Sequence, residues 1–311
     1  MGNKSEQVVK FLDVGHGDSS VAFLNNDADI CTVIIDIPKS DKLLKELRDK
    51  NVSVVDLLVI SHSDSDHCKG VNDFLEKYAS EGRVVKVCFN LDRHKPTLTM
   101  KLFLKKFMEY YKKYKMQLVS GTNDTTVSSK KIVELNDTNF SVIYPNEKDS
   151  INAYLTNNVN NMSIVCLLSN SDYNILFTGD LGPEGWQSIF ERNPELTCDV
   201  LKMPHHGAYY DDLKNEWGTK KILEQLKPKI AIISTGENAK YNHPSSETIK
   251  ALRDNGIDIY CTEYTGLCNN IAECGEACNG DISVIRNGKS YEIETQSSNK
   301  NILDNLACMP N

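Results

Sequence analysis

A chain of 311 residues with 40% hydrophobic and 25% charged side chains has the composition of a globular protein that can bury one large core or two smaller ones. Its formal net charge of -8 excludes a surface that receives polyanions everywhere, because such binding is carried by Lys and Arg, so any nucleic-acid contact has to be local. No apolar stretch approaches the ~20 residues that span a bilayer. The stretch Met1 to Gln7 lacks the apolar core of a signal peptide and Glu6 breaks the myristoylation pattern, so a cytoplasmic protein without membrane partners is expected.

In chain order, Val8 to Val14 and Ser19 to Leu24 read as two strands joined by the Gly-rich loop Gly15-His16-Gly17-Asp18, and Thr32 to Asp36 as a third strand. Asp41 to Lys50 has helical spacing with Leu43, Leu44 and Leu47 on one face. The run Val54 to Ile60 has the length and β-branched character of a buried strand. Helix over about 71–80, strand Val84 to Phe89, a long helix over about 98–116 and strands near 131–135 and 140–143 follow. Asn146 to Asn161 is expected to be a polar loop, before strands Ser163 to Leu168 and Asn174 to Thr178. The C-terminal half alternates again: helix 183–191, strand Asp199 to Met203, helix 213–226, strand Lys229 to Ser234, helix 245–255 and strand Ile257 to Cys261, with Asp281 to Ile285 as the closing strand. Strands and helices thus interleave in both halves, which fits an α/β fold of two sheets faced by outer helices, one domain over 1–294 with a polar tail over 295–311.

The stretch Ser61-His62-Ser63-Asp64-Ser65-Asp66-His67 stands at the end of the buried run 54–60. Imidazoles and carboxylates are ligands of divalent ions, and alternation at 62, 64 and 66 in an extended segment projects three of them to one side, with His67 added from the following turn. A Ser/Asp-rich turn alone has no need of two histidines. Four other strands end in polar groups: Asp36, then Gly179-Asp180, Pro204-His205-His206-Gly207, and Asn242-His243-Pro244. Strand ends on one sheet edge are where α/β proteins assemble sites, so convergence is expected, with Asp36 orienting a metal-binding histidine or the loop.

The order Leu12-Asp13-Val14-Gly15-His16-Gly17-Asp18, Ile35-Asp36, His62-x-Asp64-x-Asp66-His67, Asn161-x-Ser163, Thr178-Gly179-Asp180, Leu201-Lys202-x-Pro204-His205-His206-Gly207 and Asn242-His243-Pro244 resembles the metallo-β-lactamase superfamily, specifically the nuclease domain of ComEC-type DNA-uptake proteins, over roughly residues 8–290. The resemblance implies a four-layer αββα fold, one or two divalent ions (Mn or Zn, with Mg possible) and hydrolysis by a metal-bound hydroxide. It puts His62 and Asp64 on one ion, Asp66, His67 and His243 on the other, Asp180 between them, and His205 as a further ligand or transition-state contact. Asp66, His205, His206 and Lys202 are the implied catalytic residues, and Asp36, Asn161 and Ser163 support the ligands. Many superfamily members have His in place of Asp64, a departure shared with the ComEC type that moves the first site from zinc towards manganese or magnesium. The transmembrane competence region of ComEC proteins has no counterpart in the sequence, so DNA uptake is not inferred.

The functional expectation is a metal-dependent phosphodiesterase, foremost a DNase, with nucleic acid as its substrate. A hydrolase of lactams, lactones or cyclic nucleotides and a catalytically silent metal-binding scaffold are the alternatives. Two local features stay open. The helix over 98–116 interleaves Phe103, Phe107, Tyr110, Tyr111 and Tyr114 with Lys101, Lys105 and Lys112, either a solvated face or one that tracks phosphates, with Arg93, His94 and Lys95 just upstream. Cys261, Cys268, Cys274 and Cys278 occur in an apparent insertion over 261–280, either as a structural zinc site or as free thiols with an occasional disulfide; they lack a Cys-x-x-Cys knuckle. Of the ten cysteines, Cys31, Cys88 and Cys166 sit in apolar runs and read as small buried hydrophobes in a reducing compartment.

Overall fold

The computed structural model describes residues 7–26, 29–79, 81–90, 97–123, 129–236, 243–263, 265, 267, 280–287 and 289–296. The first half builds β1 (Gln7–Phe11), β2 (Ser20–Asn26), β3 (Asp29–Ile35), α1 (Asp41–Asp49), β4 (Val54–Ile60), the single turn α2 (Ser65–Cys68), α3 (Val71–Tyr78), β5 (Arg83–Phe89), α4 (Leu98–Tyr114) and β6 (Gln117–Ser120). The second builds β7 (Lys130–Glu134), β8 (Asn139–Tyr144), α5 (Glu147–Thr156), a 3-10 turn at Asn160–Met162, β9 (Val165–Ser169), β10 (Asn174–Phe177), α6 (Pro183–Arg192), β11 (Val200–Lys202), α7 (Thr219–Leu226), β12 (Ile230–Ile233), α8 (Ser246–Asp254) and β13 (Asp258–Cys261). A closing hairpin, β14 (Ile282–Asn287) and β15 (Ser290–Thr295), returns to β1.

These strands form two sheets, in the orders β15-β14-β1-β2-β3-β4-β5-β6 and β13-β12-β11-β10-β9-β8-β7. Each sheet is antiparallel on one side and parallel on the other. Helical crossovers connect the parallel strands, so the carboxyl ends of β3, β4 and β5 share one edge, and those of β10, β11 and β12 share the other sheet's edge. The alternating side chains of the strands supply three apolar layers. Between the sheets lie Val9, Phe11, Val33, Val59, Phe140, Cys166, Phe177 and Ile232; Phe11 of one sheet stacks on Phe177 of the other with ring centroids 5.7 Å apart. Outside the first sheet, Leu43, Leu44 and Leu47 of α1, Phe74 of α3 and Phe103 and Phe107 of α4 cover Ile34, Leu58 and Val87. Outside the second, Trp186 and Ile189 of α6, Leu223 of α7 and Leu252 of α8 cover Leu176, Leu201 and Ala231. The four layers are therefore helix, sheet, sheet, helix, the αββα architecture of the metallo-β-lactamase fold.

Several elements differ from the sequence-based expectation. The Asn-rich stretch after residue 146 is not a loop: Asn146 Oδ1 accepts from Asp149 N at 2.8 Å while Asp149 Oδ2 accepts from Asn146 N at 2.9 Å, a reciprocal cap that starts α5. Asp149 also pairs with Arg192 at 2.9 Å, which ties this polar helix to α6 without a broad apolar face. Asn146→Ala should lower stability by about 1 kcal/mol, read as a shifted denaturant midpoint. An unshifted midpoint would show that the Arg192 pair alone holds α5. Helix α7 begins at Thr219, not 213, because Asp211 accepts from Leu213 N at 3.0 Å and holds a turn there, and Asp212 accepts from Lys221 N at 3.0 Å at the helix start. The edge strands β6 and β15 were not foreseen: Gln117–Ser120 is largely exposed, and β15 alternates exposed with half-buried residues.

Candidate metal centre

The extended segment after β4 lasts only to Asp64, which caps the one-turn helix carrying Asp66 and His67. The expected three-residue alternation therefore holds for His62 and Asp64 only. Helical geometry turns Asp66 and His67 to different neighbours, and the two sides of the centre follow from that split.

On one side, His62, His67 and Asp180 bring potential ligand atoms together, all three residues being buried. Asp36, at the end of β3, sets this side from behind. Its Oδ1 accepts from Ser61 N at 2.7 Å, and its Oδ2 accepts from Ser61 Oγ at 2.6 Å and from His67 Nδ1 at 2.8 Å. Ser61 Oγ, its proton given to Asp36, accepts from His62 Nδ1 at 3.0 Å. Both rings are thereby held as tautomers with Nε2 bare. His67 Nε2 lies 3.1 Å from Asp180 Oδ1, and His62 Nε2 lies 3.6 Å from Asp180 Oδ2 and 3.8 Å from Asp64 Oδ2.

On the other side stand His16, Asp66 and His206. Asp66 Oδ2 is 3.1 Å from His16 Nε2 and 3.4 Å from His206 Nε2. Burial opposes ionisation of Asp66, but the neighbouring imidazoles of His16 and His206 outweigh it and hold its carboxyl far below the usual range. His206 Nδ1 donates to Ser234 O at 2.9 Å, which again leaves Nε2 bare. Asp180 Oδ1 lies 3.8 Å from His206 Nε2, so its carboxylate faces both clusters. His205 and His206 both have positive φ, +48° and +53°, which turns two adjacent rings in different directions.

His205 differs in its hydrogen bonding. Its Nδ1 faces Tyr210 Oη at 3.0 Å and Asn160 Nδ2 at 3.4 Å, while its Nε2 lies 3.8 Å from Asp180 Oδ2. Asn160 Nδ2 can only donate, so Nδ1 is an acceptor for it and for the Tyr210 hydroxyl, which burial keeps protonated, and the proton of neutral His205 sits on Nε2. His243 lies outside both clusters; its ring sits 5.3 Å from that of His205, edge to face.

The supporting residues act through the backbone. Ser163 Oγ accepts from Asp180 N at 3.1 Å. Asn161 Oδ1 accepts from Gly182 N at 3.2 Å while its Nδ2 donates to Glu184 at 2.7 Å, and together they fix the loop that presents Asp180. Lys202 is 2% exposed, and its ammonium contacts Asp18 and donates to Met203 O at 3.1 Å, so it lies behind His206. Asp18 and His16 come from the β1–β2 loop, which reaches the centre through Asp18 N donating to Asp66 O at 3.1 Å. Gly17 permits that approach: its φ is +139°, and a Cβ there would meet Asp66 O at 2.5 Å. The sequence assigns this loop no ligand role; its signal there is a histidine and an aspartate in a glycine-rich loop.

Whether a divalent ion fits can be judged from unmet polar demand. His62 Nε2, His67 Nε2, His206 Nε2 and Asp180 Oδ1 are all buried and make no hydrogen bond of sound geometry. Bare imidazole nitrogens converging on carboxylates are costly without a cation and suit one, so the donor set fits one or two divalent ions.

Away from the centre, Lys101, Lys105 and Lys112 project from α4 into solvent. Phe103, Phe107 and Tyr110 pack inward, but Tyr111 and Tyr114 do not, being 50% and 39% exposed, because α4 turns only one narrow face to the sheet. Cys261 is buried in β13, whereas Cys268, Cys274 and Cys278, like Asn242 and the 93–95 segment, lie outside the described residues. Among the described residues no helix is long and apolar enough to cross a membrane.

No protein-family profile matches the chain. The ComE operon protein 3 of Bacillus subtilis (strain 168) is 27% identical over 284 residues, 84% of this chain and 32% of that protein. The Competence protein ComA of Neisseria gonorrhoeae is 27% identical over 128 residues, 41% of this chain and 17% of that protein. The chain thus spans a third or less of either curated relative. Human tRNase Z, short form, superposes with a TM-score of 0.43 at 13% identity, covering 74% of this chain and 93% of that one. With its αββα layers and a His/Asp constellation where the two sheet edges meet, the chain is a metallo-β-lactamase-fold protein similar to the ComEC-type ComE operon protein 3 across most of its length.

Proposed function

We propose that the chain is a metal-dependent hydrolase that cleaves phosphodiesters, foremost a DNase. The observation that carries the hydrolase reading is the convergence of three buried imidazoles with bare Nε2 atoms, His62, His67 and His206, around the Asp180 carboxylate. The choice of DNA rests on the motif resemblance to the nuclease domain of ComEC-type proteins, supported by the 27% identity to ComE operon protein 3. One ion is assigned to His62, His67 and Asp180, with Asp64 at its open, solvent side; the second to His16, Asp66 and His206. When bound, the ions would supply positive charge that acidifies an attacking water and neutralises phosphoryl oxygens. Asp180 faces both positions and would be shared between the ions. His205, with its proton on Nε2 and its ring 28% exposed, is placed to donate to a phosphoryl or leaving oxygen rather than to ligate.

The test is a cleavage screen of purified protein on single- and double-stranded DNA, RNA, cyclic dinucleotides and a lactam, each with Mn, Mg or Zn. Cleavage of DNA supports the proposal, and no phosphodiester cleavage with any metal overturns it. Turnover of the lactam alone would move the assignment to small-molecule hydrolysis, and failure to take up any divalent ion would make the protein a silent scaffold.

The oxygen-rich donor set makes a further demand on metal identity. Zn binds such mixed sites tightly by the general affinity order, yet carboxylates at 64, 66 and 180 suit the harder Mn. Mn is expected to support faster turnover than Zn, and Asp64→His to shift the preference towards Zn. An enzyme equally active with both metals, before and after the substitution, would refute the hardness argument and leave the fold untouched.

A further inference from the structure

A cavity of about 850 Å³ opens between the ends of β5 and β6 on one wall and α5 with the 3-10 turn Asn160–Met162 on the other. Phe89, Leu118, Ile151, Tyr154 and Met162 line it, and three of these large apolar side chains are strongly exposed: Leu118 at 54%, Ile151 at 61% and Tyr154 at 45%. A contiguous apolar groove of this kind on a protein surface marks a binding site more often than a packing defect. Among the described residues that line it, Glu147 is the one charged side chain, and none of them offers a cation to a phosphate. Its polar groups are amides and hydroxyls, including Asn90, Asn158 and Ser120.

The 3-10 turn is the wall shared with the candidate centre. Met162 faces the groove, while Asn160 Nδ2 lies 3.4 Å from His205 Nδ1 and Asn161 holds the Asp180 loop. The turn is anchored from the groove side by Asn90 Nδ2 donating to Met162 O at 3.4 Å, and by Ser61 O accepting from Ile164 N at 2.9 Å just after it. The groove and the candidate centre thus share this one short turn, Asn160 facing His205 and Met162 lining the groove.

We propose that the groove seats a nucleobase next to the scissile phosphate, the ring lying on Tyr154, Leu118 and Ile151 while neighbouring amides meet its edges. This rests on the phosphodiesterase reading of the adjacent centre. A planar, uncharged heteroaromatic ring needs an apolar face and a few neutral donors and acceptors, and stacking of this kind tolerates any base. A peptide or a second copy of the chain would also cover apolar surface, but neither accounts for the turn that the groove shares with the candidate centre.

The experiment is fluorescence anisotropy of a labelled short oligothymidylate against an abasic strand of equal length, with chelator present so that no strand is cut. The wild-type protein should bind the base-bearing strand about tenfold more tightly, and Tyr154→Ala with Leu118→Ala, both at exposed positions, should erase that ratio. Hydrolysis of the 3′- and 5′-p-nitrophenyl phosphate esters of thymidine, compared with methyl p-nitrophenyl phosphate, should show the same advantage in KM and its loss in the variant. Equal binding of the two strands by the wild type, or a base preference that survives in the variant, overturns the proposal. So does self-association of the wild type that the variant abolishes, which would assign the groove to a second copy. A base preference in binding without cleavage of any phosphodiester under Mn, Mg or Zn would refute the phosphodiesterase reading and leave the base site standing.

Discussion

Asp66→Ala is expected to lower phosphodiester turnover by at least ~10³-fold, equivalent to about 4 kcal/mol of lost transition-state stabilisation. The carboxylate is the only acidic member of the cluster it forms with His16 and His206. Its removal leaves two imidazoles facing each other, with ring centroids 4.7 Å apart and no anion between them to help hold a cation. The loss should appear as metal stoichiometry as well as rate, falling from two ions per chain to one by elemental analysis. The fold should survive, because the contact that anchors α2 to the β1–β2 loop is made by the Asp66 carbonyl, which alanine retains. Circular dichroism and the unfolding midpoint in chelator should therefore match the wild type closely. A variant that keeps both its rate and its second ion would remove Asp66 from the centre.

How much of this centre the sequence displayed depended on whether the signal was local. His62 and His67 stand in a cluster directly after a buried strand, and Asp36, Asp180, His205 and His206 each follow an apolar strand, so the strand-end rule found them. Only tertiary structure could divide them. That Asp66 turns towards His206 and His67 towards His62 follows from one helical turn, α2, too short to leave a periodicity in the sequence. The partition between His205 and His206 is set by what faces each Nδ1, a tyrosine hydroxyl for one and the Ser234 carbonyl for the other, and neither partner adjoins its histidine in sequence. His16 stands in a glycine-rich motif but has no role legible from sequence, since nothing nearby in sequence states that its loop packs on α2. The α/β alternation and the αββα layers were legible because apolar runs of strand length and helical stripes repeat strongly. Helix α5 was not, because its start depends on a cap within an Asn-rich stretch and its anchor on Arg192, 43 positions away.

Asp36 offers the sharpest separation between orienting a ligand and being one. Its carboxylate accepts from Ser61 N, from Ser61 Oγ and from His67 Nδ1, so Asp36→Ala should weaken metal affinity about 10- to 100-fold, the usual consequence of removing a partner that orients a metal-bound imidazole. The informative variant is Asp36→Asn. Asp36 has φ +60°, a left-handed conformation that asparagine adopts more readily than most residues, so the backbone cost is small. The amide oxygen can still accept from Ser61 N, but the NH₂ group then sits where Oδ2 met His67 Nδ1, donor against donor. His67 relieves that clash by moving its proton to Nε2, the atom that faces Asp180 at 3.1 Å, and a protonated nitrogen cannot ligate. Asp36→Asn should therefore lose nearly as much metal affinity and turnover as Asp36→Ala while retaining more stability. Metal titration by calorimetry alongside denaturant unfolding separates the two effects. Should the asparagine variant bind metal as tightly as the wild type, Asp36 would be a loop-fixing residue whose charge has no bearing on His67.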